Sequence, residues 1–213
     1  MRYKRAVEKL GLLAEGCAEI GSWPSSDEPY LVEMWAFGGI LEGIDPLEEV
    51  QVVGVIRLPP EEVAWGSSPH GTAWLADRLR LSKGGFEYWW RSYLDPVQNH
   101  YIRSPVRIWS HDGVEEQTLA ALAERRFGEL RRVVPDPVDV RLQVRDDLDT
   151  ALRRLRQVHG SYWEPDWRRE HRGMGRYPEH ELWEAVEGYL DLLSASRPTL
   201  PNADTPPDHA GEV

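Results

Sequence analysis

The chain reads as an α+β protein: a small mixed β-sheet with flanking helices, followed by a C-terminal helical extension. Three observations predict this. Apolar runs at 31–37 and 50–58 have the length, the β-branched content and the flanking breakers of buried strands. Residues 2–20, just before them, carry apolar side chains at spacings of three and four, the period of an amphipathic helix. Pro135-Asp136-Pro137 is the best boundary in the chain and opens a purely helical pattern, so the predicted parts are a core over 1–134, a helical region over 136–196 and a disordered tail over 197–213.

Each element has its own warrant. In the first helix Tyr3, Val7, Leu10, Ala14 and Cys17 form the stripe, with charges around them and Gly11 and Gly16 as weak points. Residues 21–29, with Pro24, Ser25, Ser26 and Asp27, read as a loop. The run at 50–58 is almost wholly apolar, as befits a strand covered on both faces. Pro59-Pro60-Glu61-Glu62 stops it and begins a short helical turn, with proline early and acids in the first turn. Gly66 to Gly71 is a flexible loop; it lacks the Lys-Ser or Lys-Thr that closes a phosphate loop, and its His70 is a candidate general base. Residues 72–81 form a helix ended by Lys83-Gly84-Gly85.

Phe86-Glu87-Tyr88-Trp89-Trp90-Arg91-Ser92-Tyr93 is the densest aromatic run. It holds too many rings for one buried helix stripe, so some should face another part of the protein, a partner subunit or a ligand. Asp95-Pro96 breaks it, and Val106 to Ser110 is a third strand. Asp112 and Glu115 have capping-box spacing for a helix to about Phe127, which Gly128 ends. Beyond the boundary, Asp136 caps and Pro137 starts a helix to about His159, striped by Val140, Leu142, Leu148, Leu152, Leu155 and Val158. A last helix over 178–194 should pack Leu182, Trp183, Val186, Tyr189, Leu190 and Leu193 inward.

Composition narrows the function. Apolar residues make up 41 % and charged residues 29 %, the balance of a folded chain. No run approaches a membrane span, the N-terminus lacks the apolar core of a signal peptide, and the single Cys17 excludes internal disulfides and cysteine-rich zinc modules. A cytoplasmic location follows as the expectation. The net charge is −11, and residues 27–62 hold nine acids against Arg57 alone. That argues against a duplex nucleic acid partner, whose phosphates demand a basic footprint. Ten tryptophans serve chiefly as core and interface packing, with a platform for a planar or cationic ligand as the rarer use.

The stretch Phe37-Gly38-Gly39-Ile40-Leu41-Glu42-Gly43-Ile44-Asp45-Pro46-Leu47-Glu48-Glu49-Val50-Gln51 resembles the signature of minimal nucleotidyltransferases of the DNA-polymerase-β-like superfamily. That signature runs from a strand through a glycine pair, Arg-Gly and an acidic Asp-Pro turn to two aspartates on alternate residues of the next strand. Gly38-Gly39 fall on the glycine pair, Glu42-Gly43 on Arg-Gly, Asp45-Pro46 on the turn, and Glu49 and Gln51 on the aspartates. The likeness implies a nucleotidyltransferase-like fold. The chemistry it implies needs two metal ions held by hard anionic oxygens. Here Gln51 is a neutral amide, and the strand at 106–110, where the third acid belongs, offers Arg107.

Fold retained and transfer chemistry lost is therefore the reading: Glu49 and Gln51 stand at degenerate catalytic positions, no cofactor is expected, and the protein acts by binding a partner or a small anionic ligand. Gly38, Gly39, Glu42 and Asp45 are the candidate binding residues on the turn. Arg168, Arg169 and Arg172, in a basic and aromatic segment around Tyr162, Trp163 and Trp167, are the others. This segment, which also contains Gly175 and Arg176, is expected either to fold over the acidic 27–62 region or to receive an anion. A homodimer is a further expectation. Two alternatives stay open. Four acids within eight residues (Glu42, Asp45, Glu48, Glu49) leave room for an active Mg²⁺-dependent transferase with Glu49 as metal ligand. Arg154 and His159 resemble the Arg-x4-His motif of helical HEPN ribonucleases, which would imply a toxin–antitoxin component. Finally, Gly84-Gly85-Phe86-Glu87-Tyr88-Trp89-Trp90-Arg91-Ser92 and Trp167-Arg168-Arg169-Glu170-His171-Arg172-Gly173 resemble a group of uncharacterised actinobacterial proteins, a likeness that brings no function with it.

Overall fold

A computed structural model describes residues 1–21, 30–69, 71–173 and 177–197. The predicted loop at 21–29 beyond Gly21, His70, Gly175, Arg176 and the predicted tail at 197–213 beyond Arg197 lie outside them. Among the described residues the chain forms a five-stranded mixed sheet and six α-helices, the predicted α+β class. Helix α1 (Tyr3–Gly21) leads to β1 (Leu31–Phe37), a 3₁₀ turn at Gly38–Glu42 and β2 (Val50–Ile56). Then come α2 (Thr72–Arg78), β3 (Phe86–Ser92), β4 (Val106–Ser110), the two-residue β5 (Gly113–Val114) and α3 (Glu116–Ala123). Helices α4 (Pro137–Ser161), α5 (Pro165–Glu170) and α6 (Pro178–Ser196) complete the chain.

The strand order is β3-β2-β1-β4-β5. β1 runs antiparallel to both β2 and β4, while β2 and β3 are parallel. A parallel pair cannot be joined by a tight turn, so residues 57–85 with α2 form the crossover. Phe37 stands opposite Gln51 and Gln51 beside Glu87; Trp35 opposite Val53 and Val53 beside Trp89; Glu33 opposite Val55 and Val55 beside Arg91. Because the side-chain period is 2, these residues share one face. Met34, Ala36, Val52 and Ile56 line the other face and are fully buried. Helix α1 belongs to that second side, where Gly21 lies against the Trp109 ring. Its stripe is the predicted one, widened by Ala6 and Leu13.

The first face is met by an antiparallel pair of helices, α4 and α6. Arg91 Nη1 donates to both Asp147 oxygens of α4 at 3.1 Å, with the side chains 1 % and 5 % exposed. Arg91 also donates to the Pro96 carbonyl, and Gln143 donates to Asp147 at 2.8 Å. Asp136 caps α4 through the Val138 N–H, as predicted, and Pro178 opens α6 at its first turn.

Three expectations are corrected, and one stretch gains an assignment. The aromatic run at 86–92 is a strand: Phe86, Tyr88 and Trp90 alternate with Glu87, Trp89 and Arg91, so the rings divide between two faces. The Asp112–Glu115 capping box does not form. Gly113 and Val114 pair with β4, and Glu115 accepts from Arg107 instead of from its own helix, which ends at Ala123. In α6 the buried positions are Pro178, Ala185, Gly188 and Leu192, while Trp183 and Leu190 are exposed. In α4 the buried residues are Val144, Asp147, Ala151 and Val158, with Leu142 exposed. Small residues mark both interfaces, and in α4 Asp147 is buried because it meets Arg91, which an apolar count misses.

Candidate functional site

The turn that carries the predicted binding residues is a docked structural element. Gly38 adopts a left-handed φ of 69°, which favours glycine, and a Cβ there would fall 1.8 Å from Gln51 Oε1 and displace that side-chain amide. Gly39 takes the amide of Ile44 on its carbonyl. Asp45 accepts from the Tyr3 amide at 3.3 Å and pairs with Arg125 at 3.6 Å. Arg125 also reaches the Gly43 carbonyl, Arg132 donates to the Leu41 carbonyl, and the Leu47 amide donates to the Met1 carbonyl. Glu42 and Glu49 are exposed, and Glu49 stands just ahead of β2.

Gln51 sits on the first face at the start of β2. Its Nε2 donates to Glu87 Oε2 and to the Tyr101 hydroxyl, both at 3.0 Å. Burial first, then the Glu87 carboxylate, raise the Tyr101 phenol above its ordinary value, and Asp191 adds in the same direction. Rings surround this polar group: Trp89 lies 4.9 Å from Tyr101 and 5.4 Å from Phe37, and Trp65 stacks parallel to Trp89 at 6.1 Å. On the far side of Trp65, Asp191 of α6 accepts from Trp65 Nε1 at 2.6 Å and meets His100 Nε2 at 3.0 Å. Among the described residues the buried His100 Nδ1 and Asn99 Nδ2 atoms have no hydrogen-bond partner, Glu87 makes no ion pair, and Asp191 pairs only with His100.

Arg107 of β4 lies between Glu33 and Glu115, at 3.0 and 2.8 Å, with its guanidinium over Trp35. Burial works against its charge, but hydrogen bonds to Glu115 and Glu33 outweigh that and hold its pKa above the usual arginine value. A Mg²⁺ pair does not fit these residues. The strand position where the resemblance would place a second carboxylate carries an amide already spent on two neighbours, and the one where it would place a third carries a cation. Among the described residues no three His, Cys, Asp or Glu side chains form a metal-holding group.

Of the two expectations for the basic segment, folding over the acidic 27–62 region is not met by Arg168, Arg169 and Arg172. Arg168 donates to Glu179 at 2.8 Å and lies over the Tyr162 ring; Arg169 pairs with Asp166, and Arg172 approaches the face of Tyr177. Hydrogen bonds from Arg168 above all hold the Glu179 carboxyl below its usual value. These links are local to α5 and the start of α6, because partners a few residues away close a loop at less entropic cost than a distant strand. The acidic 27–62 region takes its cations from Arg107, Arg125 and Arg153 instead. Arg154 bridges α4 to Glu181 at 2.7 Å, a structural use, and His159 is exposed.

Sequence reasoning missed Glu87, Tyr101, Trp65, Trp89, His100 and Asp191. A period-2 reading of 86–92 would have placed Glu87 and Trp89 beside Gln51. Nothing in the sequence ties Asp191 to them.

Fold and site together define an α+β protein whose mixed sheet presents an aromatic, carboxylate-bearing face to a C-terminal helix pair. The chain belongs to the family described as a domain of unknown function, DUF7711, whose model matches residues 1–198. No curated protein and no solved structure matches it. Among the described residues no helix is long and apolar enough to cross a membrane.

Proposed function

We propose that this is a nucleotidyltransferase-like protein that has lost transfer chemistry and acts by binding. The observation that carries the reading is the environment of Gln51. At the position where the resemblance calls for a metal-bridging carboxylate, the side chain is neutral and both of its N–H bonds are taken by Glu87 and Tyr101. Arg107, locked between Glu33 and Glu115, supports the same conclusion at the third position. The turn, fastened by Arg125 and Arg132, serves the architecture.

Thermal melting with a panel of nucleotides, each with and without Mg²⁺ or Mn²⁺, tests this. A ligand at ~100 times its dissociation constant adds about 2.7 kcal/mol, a readable shift. Metal-independent shifts, or none with any nucleotide, are the expected results. A metal-dependent shift that Glu49→Ala abolishes would overturn the reading and restore an active transferase.

A further inference from the structure

We infer that helix α6 pairs with the α6 of a second copy of this chain, antiparallel and across a two-fold axis at Gly188. Helix α6 has two apolar sides, and the protein covers one of them. Ala185, Gly188 and Leu192 are buried, and Glu184 and Asp191 hold the loop at 65–68. At about 100° per residue, Trp183, Val186, Leu190 and Leu193 fall within an arc of about 80°, roughly 140° around the helix from that buried side. Their spacing of three, four and three is that of coiled-coil a and d positions. Trp183 is 63 % and Leu190 52 % exposed, with Val186 and Leu193 partly so. Among the described residues none of the four packs on the core, whereas Tyr189 at the edge of the arc does. An exposed apolar stripe on a helix otherwise rich in acids marks a surface for a partner.

The stripe is matched to itself. Val186 and Leu190 lie two residues either side of Gly188, Trp183 and Leu193 five, and Glu179 and Arg197 nine. An antiparallel partner centred on the same glycine therefore sets Val186 on the partner's Leu190 and Trp183 on the partner's Leu193, each an a residue against a d residue. It also sets Glu179 against the partner's Arg197 at both ends, because a two-fold contact repeats every pairing. Arg168 and the Tyr162 hydroxyl both use Glu179 Oε1 and leave Oε2 without a side-chain donor among the described residues. Arg197, the C-cap of α6, makes no ion pair among them. The rim is less well matched: Glu187 comes near the partner's Glu187, so Glu187→Gln should tighten the pair. Residues 198–213 are a weaker occupant, since they offer Leu200 and Val213 among Pro198, Pro201, Pro206 and Pro207, with no stripe to answer Trp183, Leu190 and Leu193. None of the paired residues lies on the turn or beside Gln51, so the pairing is independent of any ligand bound there.

The test is sedimentation velocity of the full chain over about 1 μM to 1 mM, the range a short two-helix contact demands. A reversible monomer–dimer equilibrium is expected. Leu190→Glu, at an exposed site, should weaken it by roughly tenfold or more without lowering the melting temperature of the dilute protein. Arg197→Glu and Glu179→Lys should each weaken it by setting like charges together. Mixed one to one, these two variants bring opposite charges together at both ends, so the mixture should dimerise about threefold or more tighter than either alone. A contact through another surface gives no such rescue. A monomer at every concentration, full dimerisation of Leu190→Glu, or a mixture no tighter than its two components would overturn the pairing. So would a monomer that Leu190→Glu destabilises, since the stripe would then be covered within one chain.

Discussion

Removing Asp147 should damage the protein more than any exposed acid does. Arg91 is 1 % and Asp147 5 % exposed, so Asp147→Ala leaves a guanidinium in the interior with only the Pro96 carbonyl as hydrogen-bond partner and no carboxylate in direct contact, Asp95 acting only through space. Breaking such a pair from one side costs about 3–5 kcal/mol, because the orphaned ion keeps its desolvation penalty. Two surviving hydrogen bonds to Pro96 favour the lower end, about 3 kcal/mol. For a chain of this length each kcal/mol moves Tm by roughly 2–4 °C, so a fall of about 6–12 °C is expected. The loss should persist at high salt, since a buried pair is poorly screened. Replacing both partners, Arg91→Met with Asp147→Leu, should recover most of it. A fall of less than about 2 °C in Asp147→Ala, or a double variant as unstable as the single one, would refute the reasoning.

Three further outcomes can be measured. A Cβ at Gly188 would sit 2.0 Å from the Trp65 carbonyl oxygen, backbone against backbone, so Gly188→Ala should lower stability by about 1–3 kcal/mol. At an ordinary mid-helix site the same change gains about 1 kcal/mol, which makes the sign of the denaturation shift decisive. Burial above all raises the Asp95 pKa, with Arg91 opposing and the Asp147, Glu61 and Asp146 carboxylates reinforcing. An acid whose folded pKa exceeds its unfolded one favours folding while protonated and costs stability as pH rises through the folded value. Asp95→Asn should therefore raise Tm at pH 7 by more than at pH 4, and an equal gain at both would count against that electrostatic origin. Cys17 is fully buried and burial pushes its thiol far above the usual range, so alkylation of the native chain should proceed only as fast as unfolding; rapid labelling would place Cys17 at the surface.

What the sequence revealed followed its periodicity. Tyr3, Val7, Leu10, Ala14 and Cys17 recur at helical spacing, and they are the buried stripe of α1. The apolar runs of β1 and β2 and the Asp136-Pro137 start of α4 were equally plain. Trouble began where one residue type served two structures. Aromatics in 86–92 fit a strand with two differently covered faces, yet their density alone carries no period. Asp112 and Glu115 have the spacing of a cap, but Arg107 on the neighbouring strand competes for Glu115 and wins. Trp183 and Leu190 are as apolar as a core stripe and lie outside, because Gly188 and Asp191 face the crossover loop instead. For the candidate site, Gln51 was legible from its place in a strand. Glu87 and Asp191 were not, since their nearness to Gln51 and Tyr101 depends on strand register and on how α6 docks.

Helix α6 meets the loop at 65–68 along one line. Glu184 accepts from the Ser68 amide, Gly188 lies on Gly66, and Asp191 holds the Trp65 indole. Their spacing of four and three is a single ridge on the helix surface, engaged at three successive turns. One added residue would turn everything beyond it by about 100°. Inserted between Gly188 and Asp191, it would leave the glycine seated and swing the carboxylate off Trp65 and His100. Natural length variation within α6 should therefore be confined to its two ends, outside the stretch from Glu184 to Asp191 that the ridge keeps in phase.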